Sequence, residues 1–153
     1  MSANAESHGR GRIRRRFDAI AKIAAAASLL FLIIELAQWP AAEQHRQTLT
    51  AELGSIPPVT DARELHAESG SKPDSAIASK NYSSVVVDSE ITAHYEQVLR
   101  AAGWTLLSRD DTGAVIKRCF GRGDDLASLS VAGTSHPDWR YSISLGWHAF
   151  DCK

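Results

Sequence analysis

Two pairs of neighbouring carboxylates are the most direct chemical signal in this sequence. They are Asp110-Asp111 and Asp124-Asp125. Adjacent aspartates can bind Ca²⁺ or share acid and base roles in catalysis. Each pair lies beside a glycine in a predicted turn, where aspartate is common because its side chain hydrogen-bonds the local backbone. The sequence therefore favours turns over a calcium or catalytic site at both places.

Histidine and serine residues carry a weaker chemical signal. His94, His136 and His148, with or without Cys152, do not have the spacing of a zinc site. Serines are frequent near His148, but the sequence has no G-x-S-x-G motif and no phosphate-binding glycine loop. We expect no catalytic, cofactor-binding or metal-binding residue, and no enzyme.

One cleft remains as an alternative to this expectation. If the protein is an exported enzyme or a small-ligand domain, this cleft would lie between His148, Trp147 and the Asp124-Asp125 turn. The overlapping Arg122-Gly123-Asp124 spells a cell-adhesion tripeptide, but a glycine-rich hairpin turn explains it without adhesion. A deep pocket with a convergent histidine and carboxylate would support the cleft.

The redox state of the two cysteines, Cys119 and Cys152, depends on the compartment in which the domain lies. Outside the cytoplasm a disulfide is the natural state, whereas two unrelated thiols are expected in a reducing compartment. If the domain is exported, we predict a Cys119–Cys152 disulfide that contributes about 3 kcal/mol or more.

The sequence predicts one helix between Asp88 and Gly103. Asp88 or Ser89 can cap it through a side-chain oxygen, and Gly103 provides a C-terminal stop. Apolar residues between these positions recur with helical spacing on one face. They are Ile91, Tyr95, Val98, Leu99 and Ala102.

Alternating patterns predict strands on both sides of this helix. They cover residues 76–83, 104–108, 114–120, 126–131 and 139–147. In the last strand the larger apolar residues share one face and should pack against the helix. They are Trp139, Tyr141, Ile143, Leu145 and Trp147. The predicted fold is α+β, with one helix packed on an antiparallel sheet of four or five strands.

The N-terminal segment has the composition of a membrane topology signal. Residues 1–16 hold five arginines against one glutamate, a formal charge of +4 that leaves −5 for the remainder of a chain with net charge −1. Twelve uncharged residues, 23–34, follow and would span roughly 18 Å as a helix. With Lys22 and Glu35 extended towards the headgroups, residues 19–37 would reach about 28 Å, close to the ~30 Å hydrocarbon core.

An uncleaved anchor is favoured over a cleaved export signal. Small residues with A-x-A spacing are missing after the apolar run, and Trp39 lies where an interfacial aromatic residue belongs. Arginines before the helix predict an N-terminus inside the cytoplasm and residues 40–153 across the membrane. The mildly acidic remainder gives no reason to expect nucleic-acid binding.

The predicted organisation therefore has four parts. Residues 1–18 form a basic cytoplasmic tail and 19–39 a transmembrane anchor. Residues 40–75 form a juxtamembrane helix and a flexible tether, since 59–75 are polar without periodicity. Residues 76–153 form the extracytoplasmic domain.

Several short motifs run through this domain. They are His94-Tyr95 with Leu99, Gly103-Trp104, Cys119, Arg122-Gly123-Asp124 leading into Leu126-Ala127-Ser128-Leu129, Tyr141-Ser142-Ile143-Ser144 and Gly146-Trp147. Through these motifs the domain resembles a group of small exported bacterial proteins, anchored or lipidated, of unassigned function. The resemblance covers roughly residues 76–150 and implies a fold and a location, but no chemistry.

These features predict a single-pass protein of the inner (cytoplasmic) membrane. Its expected role is a binding or assembly module that is embedded in the lipid bilayer and meets an envelope or membrane protein partner, without a cofactor.

Overall fold

The computed structural model describes residues 27–28, 30, 39–133, 138–150 and 152. The chain divides into two compact units, residues 1–38 and 39–153. In the first unit the described residues 27, 28 and 30 are helical and exposed. The predicted tail 1–18 and most of the predicted anchor 19–39 lie outside the described residues.

Within the described part of the chain, no helix is both long enough and apolar enough to cross a membrane.

The second unit contains two helices and six strands. Residues 39–55 are helical and are named α1. The other elements, in chain order, are β1 (Arg63–Lys72), β2 (Ser75–Ser83), α2 (Asp88–Ala101), β3 (Thr105–Asp110), β4 (Ile116–Arg122), β5 (Asp125–Val131) and β6 (Tyr141–Trp147).

All six strands form one antiparallel sheet in the order β1-β2-β6-β5-β4-β3. The last strand, β6, therefore lies near the centre, between β2 and β5. Two-residue turns connect β1 to β2 and β4 to β5, and the second uses Gly123 at φ +60°. A positive φ at this point suits a tight hairpin and favours glycine.

The core lies between the helices and one face of the sheet, here called the inner face. On β6 the alternation predicted from the sequence holds, because Tyr141, Ile143 and Leu145 are buried and Trp147 is half-buried. The strand was predicted to include Trp139, which instead precedes β6. Three tyrosines meet at the centre: Tyr82 stacks on Tyr141 at 4.9 Å, and the Tyr95 hydroxyl donates to Tyr141 at 3.3 Å. Burial raises the pKa of Tyr95 well above its usual range.

The prediction of an α+β fold with an antiparallel sheet is confirmed, but the element count was too low. Residues 63–72, expected to be part of a flexible tether, form edge strand β1 paired with β2. Most of β1 is exposed, so no apolar alternation is needed and none marks it in the sequence. The compact unit begins at residue 39 rather than 76.

Helix α1 belongs to this unit because its apolar side chains enter the same core. Leu49, Leu53 and Ile56 are buried together with residues of the sheet and α2. At its first turns, Glu43 accepts a hydrogen bond from Ser71 at 3.2 Å, and Arg46 donates to Ser69 at 2.9 Å. The helix therefore packs along the inner face and over β1.

The predicted cap of α2 was wrong. The predicted helical face is confirmed for Ile91, Tyr95 and Leu99, whereas Val98 is half-buried and Ala102 is exposed after the end of the helix. Val87 is the N-cap residue and no side chain caps it; its carbonyl accepts from the amides of Glu90 and Ile91. The Asp88 carboxylate is instead paired with Arg140. The stop at Gly103 is confirmed, with φ +85° and the Trp104 amide donating to Leu99 at 2.9 Å.

Leu49→Ala tests whether α1 is part of the folded unit. Leu49 is 1% exposed, so truncation leaves a cavity and should lower the free energy of unfolding by about 2–5 kcal/mol. Urea denaturation of the full-length chain in detergent micelles, followed by circular dichroism, measures this change. Thr48→Ala on the exposed face of α1 is the control and should change it by no more than about 0.5 kcal/mol. Equally small effects would show that α1 does not support the core.

Candidate functional site

Three aromatic rings stack at the end of the sheet where β6 finishes. The Trp147 indole stacks with two imidazoles: His45 lies at a centroid distance of 4.2 Å and is parallel to within 2°, and His148 lies at 4.5 Å with 20° between the ring planes. His45 comes from α1, whereas the other two are consecutive residues at the end of β6. The column therefore joins α1 to the centre of the sheet.

Backbone geometry explains how two consecutive residues can stack. His148 has φ +51°, in the left-handed region that residues with a Cβ seldom adopt. This conformation ends β6 and turns the exposed imidazole back over Trp147. Such outliers persist only where the surrounding structure holds them, and they are concentrated at functional sites.

The predicted cleft residues are only partly brought together. Asp124 and His148 line one open depression of about 450 Å³, together with Leu126, Ala149 and Phe150. Asp125 and Trp147 face each other across the β5–β6 pair on the inner face instead, since successive side chains of a strand point to opposite faces. The structure thus holds a shallow histidine–carboxylate depression, and not the deep four-residue cleft that the alternative required.

Asp125 is the most unusual carboxylate at this end of the sheet. Its Oδ1 atom is buried and accepts no hydrogen bond from any described residue. Burial raises the pKa of Asp125, while the nearby charges of His45 and Arg122 act in the opposite direction. A buried oxygen without a donor makes the ionised form costly in the folded state.

A charged clamp lies directly behind this carboxylate. Arg122 donates to both carboxylate oxygens of Glu52 at 2.7 and 2.6 Å and lies 4.0 Å from Asp125. Its guanidinium also stacks over the Trp104 ring at 4.3 Å, and the Trp104 indole donates to Glu52 at 3.2 Å. The clamp joins α1, β4 and the short connection between α2 and β3.

This clamp also bears on the adhesion tripeptide. The Arg122 side chain pairs with Glu52 and stacks on Trp104, so the arginine of the Arg122-Gly123-Asp124 hairpin turn already has partners within the protein. The turn interpretation of this motif therefore has a direct structural cause.

The described histidines are not gathered into a metal site. Across the described residues, no group of three or more histidine, cysteine, aspartate or glutamate side chains could hold a metal. His94 is elsewhere, with Nε2 2.9 Å from the Pro57 carbonyl oxygen, and His136 lies outside the described residues.

The Asp110-Asp111 pair divides into two separate roles. Asp110 accepts from the Thr112 amide at 3.0 Å and from its hydroxyl at 2.6 Å, which holds the pKa of Asp110 below its usual range. Asp111 instead accepts hydrogen bonds from both Nη atoms of Arg118. The first aspartate therefore shapes the turn, as predicted, and the second makes a long-range ion pair.

The predicted Cys119–Cys152 disulfide is present, with the two Cα atoms 5.6 Å apart. It fixes the segment after β6 against the outer face of the sheet, where Phe150 packs close to Gly146. A cross-link between residues 33 positions apart contributes about 3–4 kcal/mol in a chain-entropy account. The disulfide therefore closes the polar side of a sheet whose other side is covered by helices.

Two residues of the site were missed from the sequence because α1 was interpreted as a juxtamembrane helix. They are His45 and Glu52, seven positions apart and hence on one side of α1. The buried residues Ala42, Leu49 and Leu53 repeat with the same helical spacing. That pattern would have identified a core-facing helix.

Asp125→Asn should stabilise the protein at neutral pH. The folded pKa of Asp125 is raised, so its stabilising contribution is complete below the ordinary value of 3.8 and is lost as the pH rises through the folded pKa. The variant's advantage should therefore be present at pH 7 and vanish as the pH falls towards 3.8. Thermal unfolding across this range measures it. Asp74→Asn, in the exposed turn between β1 and β2, is the control and should change the free energy of unfolding by no more than about 0.5 kcal/mol.

No protein-family model, no curated protein and no solved structure matches this chain. Its function has to be inferred from its own residues.

Proposed function

We propose that this chain is a single-pass, membrane-anchored binding or assembly module with residues 40–153 outside the cytoplasm. Its location is the inner membrane of a cell envelope, its N-terminus is cytoplasmic, and its partner is an envelope or membrane protein. The observation that carries the location is the Cys119–Cys152 disulfide.

The disulfide supports this location through redox chemistry. Structural disulfides form and persist in oxidising compartments and are rare where thioredoxin and glutathione keep thiols reduced. This one joins β4 to the segment after β6 and has its Cα atoms at an ordinary bridging distance of 5.6 Å. A domain that uses it for stability is suited to the outside of the cytoplasm.

The N-terminal sequence supports a retained anchor. The arginines before the apolar residues 23–34 match the positive-inside rule. The compact unit begins at residue 39. The likeness to small exported bacterial proteins agrees with such an arrangement.

Exposed apolar side chains support a binding role. Val85 is 89% exposed and Val87 is 54% exposed, both in the loop between β2 and α2. This loop lies at the end of the sheet opposite to the first turns of α1, which contact Ser71 and Trp147. Exposed apolar groups on a small domain are candidates for contact with a partner.

Intact mass spectrometry tests the location and the anchor together. Protein is taken from a membrane fraction, and thiols are alkylated before denaturation and again after reduction. We expect a full-length chain that gains no label in the first step and two labels in the second, because Cys119 and Cys152 are bonded. Cys119→Ser is the control and should carry one label from the first step.

Two outcomes contradict this proposal in different ways. A mass lacking about the first forty residues would mean a released domain, which removes the anchored module. A full-length chain with both thiols labelled before reduction would place the domain in the cytoplasm. The topology would then be inverted.

A small-ligand domain or enzyme is the second candidate, and one observation favours it. Asp124 and His148 line the same depression, and His148 is held at a positive φ. An exposed imidazole ring beside Leu126 and Phe150 offers a flat surface for stacking and a carboxylate for a positive charge.

A fragment library of planar cations, screened by NMR against the full-length chain in micelles, tests this second candidate. Chemical shift changes should cluster at Leu126, His148 and Phe150, and should be lost in His148→Ala. His66→Ala, which removes an exposed imidazole from β1, is the control and should leave them unchanged. Shift changes confined to other parts of the chain would remove this candidate.

A further inference from the structure

A second cavity lies at the end of the sheet that carries the exposed valines. It has a volume of about 570 Å³ and opens between the start of α2 and the beginning of β4. We call it the distal cavity. The lining residues used below are Val87, Asp88, Asp111, Ile116, Arg118 and Arg140.

Arg118 forms the base of the distal cavity. Its side chain is only 9% exposed, and its Nε atom donates to Glu96 at 3.0 Å inside the protein. Hydrogen bonds from Arg109, and then from Arg118, hold the pKa of Glu96 below its usual range. Glu96 therefore remains ionised and fixes the guanidinium from behind.

The two Nη atoms of Arg118 point the other way, towards Asp111. They donate to its carboxylate at 2.5 and 3.2 Å, in the two-pronged geometry by which arginine binds carboxylates. Asp111 is 58% exposed and belongs to the loop between β3 and β4. The Asp111 carboxylate, on an exposed loop, thus pairs with the buried Arg118 guanidinium from the solvent side.

The second arginine of the cavity is held by the protein itself. Arg140 is 14% exposed, forms an ion pair with Asp88, and donates to the Val86 carbonyl at 3.2 Å. Within the distal cavity, the positive charges of the two arginines are therefore balanced by the negative charges of two aspartates. A simple anion gains little there unless it takes the place of a carboxylate, and Asp111 is the more exposed of the two.

The rim of the distal cavity is apolar. Val87 and Ile116 line it, and Val85 lies two residues before Val87 in the same loop. A ligand that fits both features has a carboxylate next to apolar side chains. A protein segment with an acidic residue flanked by aliphatic residues has this chemistry, and its neighbours can cover Val85 and Val87.

We propose that the distal cavity binds an acidic, aliphatic peptide segment of a partner protein, whose carboxylate replaces Asp111 on Arg118. The expectation of a protein partner rests on the proposed function, whereas the site rests on the cavity, Arg118 and the exposed Asp111. In the absence of the partner, Asp111 acts as an internal occupant of the site. Because an internal carboxylate competes at a high effective concentration, it weakens the binding of any external one.

Titration of the ¹⁵N-labelled full-length chain in micelles tests this inference. The probe is the peptide acetyl-Val-Glu-Val-amide, and the matched control peptide has glutamine in place of glutamate. We expect the glutamate peptide to shift the Arg118 Nε–H signal and the amides of Val87 and Ile116, with a Kd on the order of 1 mM. The glutamine peptide should leave these signals unchanged.

Two variants separate displacement from general electrostatics. Asp111→Asn removes the internal competitor and should lower the Kd about three- to tenfold. Glu90→Gln makes the same change in net charge at an exposed position in the first turn of α2, and it should leave the Kd unchanged.

Several results would overturn the inference. They are no shift at about 10 mM glutamate peptide in both the wild type and Asp111→Asn, equal tightening in the two variants, or equal shifts with the glutamine peptide. The thiol-labelling experiment uses no peptide, so an incorrect topology and an incorrect binding site give separate signatures.

Discussion

The fold depends on how α1 is attached to the sheet, and the attachment centres on Glu52. Its carboxylate receives two hydrogen bonds from Arg122 on β4 and one from the Trp104 indole, while Arg122 stacks over the same indole. These contacts bring together three parts of the chain that are distant in sequence. Without α1 the apolar inner face near Leu145 and Ala78 would lack its cover, since Leu49 and Leu53 belong to the same core.

The same attachment creates the candidate site. Because α1 is held at Glu52, His45 lies two turns earlier and meets the exposed end of β6. There it stacks on Trp147 and contributes its charge to the surroundings of the buried Asp125 carboxylate. The aromatic column and the clamp behind it are thus two contacts of one helix, one with the end of β6 and the other with the β4–β5 hairpin.

Sequence patterns predicted the elements whose periodicity reflects burial. The alternation in β6 and the helical face of α2 were correct because Tyr141, Ile143, Tyr95 and Leu99 are all fully buried. Strand β1 was missed because an exposed edge strand needs no apolar period. The stacking of His148 on Trp147 could not be predicted from the sequence either, because the residue type does not reveal the left-handed backbone conformation of His148. Asp111 illustrates a third limit: a turn aspartate looks the same in sequence whether it bonds its own loop or a distant arginine.

The position of β6 has a consequence for how the sheet can be assembled. The final strand pairs with β2 on one side and β5 on the other, and its contact between Ser144 and Ser79 joins residues 65 positions apart. Until that strand is in place, the β1–β2 hairpin and the β3–β4–β5 meander are not joined by strand pairing. Both then present an open edge, at β2 and at β5, and such edges can pair with other chains. Closing the sheet through its last strand makes the topology rich in long-range contacts, which is the feature that slows folding in small domains.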